Sequence, residues 1–177
     1  MPSPVGHALG GIAAGTLLTD GSRRSVVVLA ILGAAADLDL LAGAHRGPSH
    51  SVGAALLAAA LALAVTRSPR WSLATGLAWG SHVLLDWLGQ DSWPPLGIPA
   101  LWPFSHAYFQ SPVVIFPAVS RQYWLGLRFL RLNATALVIE VLLLLPIAWI
   151  TCRAAKRDRV ERAEANGRIS RAPIAHK

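Results

Sequence analysis

Cysteine is almost missing from this chain. Cys152 is the only one among 177 residues, so no internal disulfide can form. Charge is scarce as well. Asp, Glu, Lys and Arg together make up 14% of the chain, against roughly 25% in an ordinary soluble domain. Acidic residues are the scarcest, at nine. A basic stretch before the first apolar run is lacking too, and that run opens with His7, so a cleavable signal peptide is not expected. No nucleophilic serine or cysteine motif and no internal repeat stand out, which leaves water as the expected nucleophile in any hydrolytic chemistry.

What fills the chain instead is apolar residues, 54% of the total. They are clustered in Val26 to Ala36, Val52 to Val65, Leu73 to Leu88 and Ala134 to Ile150. These runs approach the ~17–25 residues that cross a bilayer core. The expected fold is therefore all-α, a polytopic membrane helix bundle of about five helices and four to five spans. A soluble all-α protein with a very apolar core is the alternative. The net charge of +7 does not point to nucleic acid. Half of the sixteen basic residues lie between Arg153 and Lys177, directly after an apolar run, and such a flank is the usual cytoplasmic side of a span. The chain divides into a membrane-embedded domain, 1–152, and a basic cytoplasmic tail without fixed structure, 153–177, in reach of anionic lipid.

The helices are expected at about Val5 to Leu18, Ser25 to Leu41, His50 to Thr66, Trp71 to Leu88 and Asn133 to Cys152, the last bent at Pro146. Ser49 would cap the third. Gly89 to Leu132 holds six prolines, among them Pro94, Pro95 and Pro103, and cannot be one helix. With Trp93, Trp102, Phe104 and Tyr108 it reads as an ordered aromatic lid at the outer surface, ending in an interfacial helix, Val119 to Leu132, whose Arg121, Arg128 and Arg131 reach headgroups. Arg23, Arg24, Arg67 and Arg70 place the loops after helices one and three on the cytoplasmic side with the C-terminus.

On that topology the residues that are costly in a membrane converge. His7, Asp37, Asp39, His45, His50, His82, Asp86, Asp91 and His106 all fall in regions assigned to the outer side. Imidazole and carboxylate together suit zinc, with manganese or iron as alternatives. His82 and Asp86, four apart, point from one helix face. Asp37 and Asp39 diverge by about 200° on a continuous α-helix, so both reach one site only if the helix frays. Otherwise one binds metal and the other caps or orients a histidine. Arg46 is set to clamp a phosphate or carboxylate, or to bind lipid phosphate. Glu140, inside the fifth helix, either joins the site, pairs with an arginine or stays protonated.

His7, Asp37-Leu38-Asp39, His45-Arg46-Gly47-Pro48-Ser49-His50-Ser51, Ser81-His82-Val83-Leu84-Leu85-Asp86 and Leu101-Trp102-Pro103-Phe104 occur in that order over about Met1 to Ser105. The pattern resembles the YdjM-like bacterial inner-membrane proteins, described as membrane-bound metal-dependent hydrolases and linked by name to LexA regulation. The chain departs from that pattern at Pro48-Ser49 and at Gly89-Gln90-Asp91-Ser92. The resemblance implies a metal site in the inner membrane. With the residues it leads to one expectation: His7, Asp37, His50, His82 and Asp86 bind metal, Asp39 or His45 acts as base or orients a ligand, and Arg46 holds an anionic group. The substrate would be a lipid-like ester or phosphoester at the outer face, reached from the membrane lipids. The competing readings are a transporter or metal-handling protein, and a non-catalytic stress-response adaptor. Oligomeric state is not legible.

Overall fold

Serine opens four of the five α-helices. Ser3 precedes α1 (Pro4–Gly15), Ser22 precedes α2 (Arg23–Ala34), Ser51 precedes α3 (Val52–Thr66) and Ser68 precedes α4 (Pro69–Trp87); each side chain accepts a backbone N–H of the first turn. Such caps satisfy donors that the helix itself leaves open, and Pro4 and Pro69 occupy the first helical positions, where a missing N–H costs nothing. The fifth helix, α5, spans Leu127–Ser170. The computed structural model describes residues 1–42, 46–91, 94–120 and 122–170. Among these there are five α-helices and no β-strand. His45, Ser92, Trp93, Arg121 and residues 171–177 lie outside the described residues.

The packing has α1 at its centre. It lies against α2, α4 and α5, while α3 packs along α4. A helix with three neighbours needs small residues on several faces, and α1 carries Gly6, Gly10, Gly11 and Gly15. Gly11 meets Gly33 of α2 backbone to backbone. A Cβ on Gly11 would lie 2.4 Å from the Leu29 carbonyl oxygen, and one on Gly33 would lie 2.4 Å from the His7 carbonyl oxygen. Close approach of this kind is how helices associate where lipid removes the hydrophobic drive between them.

Several boundaries differ from those expected. The second helix does not continue as an α-helix to Leu41; past Ala34 it tightens into a 3₁₀-helix over Ala35–Ala42. The third is capped by Ser51 rather than Ser49, because Pro48–His50 forms its own 3₁₀ turn. There is no separate interfacial helix over Val119 to Leu132: a 3₁₀ turn at Tyr123–Leu125 leads directly into α5, so Arg128 and Arg131 stand on its first turns. Residues 153–170, expected to lack fixed structure, continue α5, with Ala155 packed on Gly21.

The 44 residues of α5 make it about 66 Å long, roughly twice the thickness of a bilayer core. Leu127–Ala165, with mean hydropathy 2.2 over its best window, is the one helix among the described residues long and apolar enough to cross a membrane by itself. Four to five spans are thus not established by length and hydropathy; Pro4–Leu18 and Val52–Thr66 are apolar but shorter. At the end of the apolar part of α5, the Arg153 guanidinium lies over the Trp149 ring, 4.5 Å from its centroid.

The segment between α4 and α5 is ordered without helix. Ile98 and Phe109 pair through both backbone hydrogen bonds, Gln90 N–H donates to Phe116 O, and Ala100 O accepts from Val52 N–H at the start of α3. Ile98 and Phe116 are buried, whereas Phe104 is 95% exposed. The segment therefore covers the ends of α3 and α4 while showing aromatic side chains outward.

Gly11→Ala and Gly33→Ala should each lower the unfolding temperature of the detergent-purified protein, because the neighbour in the way is backbone and overpacking of this kind costs about 1–3 kcal/mol. Gly80→Ala is the control. Nothing lies within 4 Å of a Cβ placed there, and helix propensity favours alanine by about 1 kcal/mol.

Candidate metal centre

Four helical segments deliver one polar cluster into an apolar interior. His7 comes from the first turns of α1, Asp37 from the 3₁₀ extension of α2, His50 from the 3₁₀ turn before α3, and His82 with Asp86 from the last turns of α4. His7, His50 and His82 are fully buried and Asp86 nearly so, while the Asp37 side chain is 17% exposed. His7 Nε2 lies 3.2 Å from Asp86 Oδ1; His82 Nε2 and His50 Nε2 lie 3.2 and 3.4 Å from Asp86 Oδ2. Asp37 Oδ1 is 3.6 Å from His50 Nε2 and 3.8 Å from His82 Nε2. The His7 and His82 rings stack with centroids 3.7 Å apart. One nitrogen or oxygen from each of His7, Asp37 and His82, and likewise of His50, His82 and Asp86, falls within 4.8 Å of the others.

Short distances here do not mean satisfied groups. Both ring nitrogens of His7, Nε2 of His82 and both carboxylate oxygens of Asp86 are buried without a hydrogen bond. A buried polar atom left in that condition costs about 1–3 kcal/mol. Five of them would together rival the ~5–15 kcal/mol net stability of an entire domain. A cation coordinated by one nitrogen of each imidazole and by the Asp86 carboxylate removes most of that cost, and buried imidazole with carboxylate is the donor set of zinc, manganese and iron. The residues present fit a divalent metal.

The surroundings aim these donors. Gly33 O is 2.8 Å from His82 Nδ1; a proton on Nδ1 donates to that carbonyl and leaves the Nε2 lone pair facing the cluster. At His50 the hydrogen-bond partner of Nδ1 is Ser49 Oγ at 3.0 Å, and Asp39 Oδ2 lies 3.2 Å from the same nitrogen. The Asp39 carboxylate also accepts from Gly47 N–H at 3.1 Å and Ser49 Oγ–H at 2.9 Å. Trp79 Nε1–H donates to Ser49 O at 2.9 Å, which ties this turn to α4. The two aspartates take different places. Residues two apart still lie on different faces of a 3₁₀-helix, and here Asp37 reaches the cluster while Asp39 lies against the Nδ1 edge of His50. That position suits Asp39 to orienting a histidine, one of the two roles expected for it.

Arg46 is not presented as a free clamp. Its guanidinium forms a two-pronged ion pair with Asp91, and Nη1 also donates to Pro95 O at 2.8 Å. Asp91 Oδ2 accepts from Gly97 N–H at 2.8 Å as well. The pair is a brace between the turn before α3 and the segment after α4, held by an arginine whose backbone is left-handed at φ 65°. His106 is exposed and away from the cluster. His45, the other expected base, lies outside the described residues.

Glu140 takes a role the sequence left open. Fully buried on α5, it accepts Ser3 N–H at Oε1 (2.8 Å) and Ser3 Oγ–H at Oε2, and a Cβ on Gly6 would collide with it. Ser3 O in turn accepts His7 N–H. The carboxylate thus fastens the start of α1, where helix dipole and open N–H groups favour an anion, one turn before a histidine of the cluster. The cap signal Ser3-Pro4 was readable in sequence; its partner, 137 residues away, was not.

Glu140→Ala should destabilise the protein by about 1–3 kcal/mol, since it strands two donors of Ser3 beside a new cavity. Glu140→Gln, which keeps one acceptor, should cost less. Chemical unfolding in detergent ranks the three proteins.

Among curated proteins and among solved structures, nothing matches this chain. A family model does: the one described as YdjM inner membrane protein matches residues 1–160. The match covers every residue of the His/Asp cluster, and the chain belongs to the YdjM inner membrane protein family.

Proposed function

We propose that this chain is a metal-dependent hydrolase embedded in the inner membrane, acting on an ester or phosphoester of a lipid-like substrate. The observation that carries the reading is the set of buried His7, His82 and Asp86 atoms that converge with no hydrogen-bond partner. His7, Asp37, His50, His82 and Asp86 would hold the ion, zinc first among the candidates. A bound divalent metal supplies Lewis acidity and brings the pKa of a water ligand towards neutrality. The chain's own residues do the rest. Gly33 keeps His82, and Ser49 with Asp39 keeps His50, in the tautomers that face inward. Asp37, partly exposed where the others are sealed, is the carboxylate placed to take a proton from the attacking water. That water forms the new bond to carbonyl carbon or phosphorus as the bond to the departing alcohol breaks.

The side of the membrane is read from the two ends of the bundle. The cluster sits at the end holding the start of α1 and the close of α4. Arg23, Arg24, Arg67 and Arg70 lie at the other, where Ala155 packs on Gly21 and Arg159 stands 4.0 Å from Asp20. Positive charge marks the cytoplasmic end, so the site faces outward in a multi-pass arrangement. Leu56, Leu57 and Leu61 of α3 and Leu142 and Ile150 of α5, all exposed, suit lipid contact. A transport role would need polar side chains continuing through the bundle. Towards the cytoplasmic end the packing is Leu29, Ala74 and Ala78 with Leu18, Leu32 and Trp71, and the buried polar residues there, Thr16, Ser25 and Thr75, carry no ionisable group.

Elemental analysis of the purified protein should find a stoichiometric transition metal. His82→Ala and Asp86→Ala should lose it. Asp39→Asn should keep the fold but weaken metal retention against a chelator by about 10–100-fold, the usual effect of removing a ligand's orienting partner. Metal-free wild-type protein, or full metal content in His82→Ala and Asp86→Ala, overturns the reading.

A further inference from the structure

A cavity of about 700 Å³ lies against the cluster on the side of α5. Asp37 forms part of its wall, and Asp37 is the cluster member whose side chain reaches solvent, so the cavity is the approach to the site. Two arginines line it, and the Met1 ammonium in the same wall donates to Gln90 O. The Arg46 charge is balanced by Asp91 within the wall itself. Arg128, on the first turn of α5, is exposed and has no hydrogen bond or ion pair to any described residue. The remaining wall is largely apolar, with Leu40, Val119, Trp124 and Leu132.

We infer that this cavity is a headgroup site for a phosphate-bearing amphiphile, with Arg128 as the residue that binds its phosphate. The inference rests on the hydrolytic reading above and names its substrate class. A guanidinium with no hydrogen bond or ion pair among the described residues, set beside apolar walls and opening onto a buried His/Asp cluster, suits a ligand with an anionic head and an apolar tail. A guanidinium offers a planar fork of donors that matches phosphate, and charge-assisted hydrogen bonds of this type are about twice as strong as neutral ones. A ligand without the phosphate gains nothing from Arg128. A phosphate without the tail gains nothing from Leu40, Val119 and Leu132. Sequence alone pointed to Arg46 for this task; the Asp91 ion pair removes it and leaves Arg128.

The test uses the full chain in dodecylmaltoside micelles with radiolabelled dioleoylphosphatidic acid as probe, dioleoylglycerol as the phosphate-free analogue, and inorganic phosphate as competitor. The wild type should retain the phosphatidic acid and not the dioleoylglycerol. Arg128→Gln should weaken retention roughly tenfold or more, the loss of about 1.4 kcal/mol. Arg131→Gln, on the same helix but outside the cavity wall, should leave it unchanged. Equal retention by the two variants overturns the proposal, and so does equal binding of dioleoylglycerol. Displacement of the lipid by millimolar inorganic phosphate would identify a free phosphate ester as the ligand and overturn the amphiphile. Metal content measured on the same samples separates the two levels. A metal-free wild type sinks the hydrolytic reading while the Arg128 comparison still stands, and metal-replete Arg128→Gln shows that its loss of lipid is not misfolding.

Discussion

The backbone approach between Gly11 of α1 and Gly33 of α2 is the contact on which both the fold and the site depend. With no side chain on either residue, the His7 carbonyl comes to rest against Gly33. The same Gly33 presents its own carbonyl to His82 Nδ1. Two helices thereby meet at the level where one contributes a histidine to the cluster and the other orients a second. Any widening of this contact would draw His7 away from Asp86 and Gly33 O away from His82. The geometry of the His/Asp cluster is therefore a consequence of helix packing rather than of a loop.

A second constraint acts from the other side of α1. Glu140 on α5 fastens Ser3, and Gly6 lets the carboxylate come close enough to do so. A carboxylate inside an apolar helix is costly, and the helix N-terminus offsets that cost by supplying donors and a favourable dipole. The one helix among the described residues that is long and apolar enough to cross a membrane alone is in this way coupled to the turn that carries His7. The Arg46–Asp91 brace performs a comparable task at the surface of the site, joining the turn that holds His50 to the segment that covers α4. Two sets of buried polar groups stand out among the described residues. One, with Glu140 and Arg46, is hydrogen-bonded and holds helices in place; the other, with His7, His82 and Asp86, converges and fits a cation.

Membership of the YdjM inner membrane protein family agrees with the apolar exterior of α3 and α5. The partner-free atoms of His7, His82 and Asp86 carry the chemistry proposed for it, and the cavity wall with Arg128 carries the proposed choice of substrate. These are separable: one is a question of metal retention, the other of phosphate recognition.

Much of this was legible in the residues themselves. Long apolar runs broken by Ser-Pro and Gly signals determine an all-helical chain, because helix periodicity and capping are local properties. The four-residue spacing of His82 and Asp86 determines that they share a helix face. The gathering of His7, Asp37, His50, His82 and Asp86 follows from alternating helix direction, which basic loops betray. Tertiary structure alone decided the division of labour. Asp37 faces the cluster and Asp39 the Nδ1 edge of His50 because of how the 3₁₀ stretch after Ala34 packs against α4 and the turn before α3. Arg46 is taken by Asp91, and Glu140 by Ser3, because pairings across 45 and 137 residues depend on where helices lie, not on neighbours in sequence. The apolar pattern of the chain determines that polar side chains will be forced together; only the packed helices decide which of them satisfy one another and which are left facing a common point.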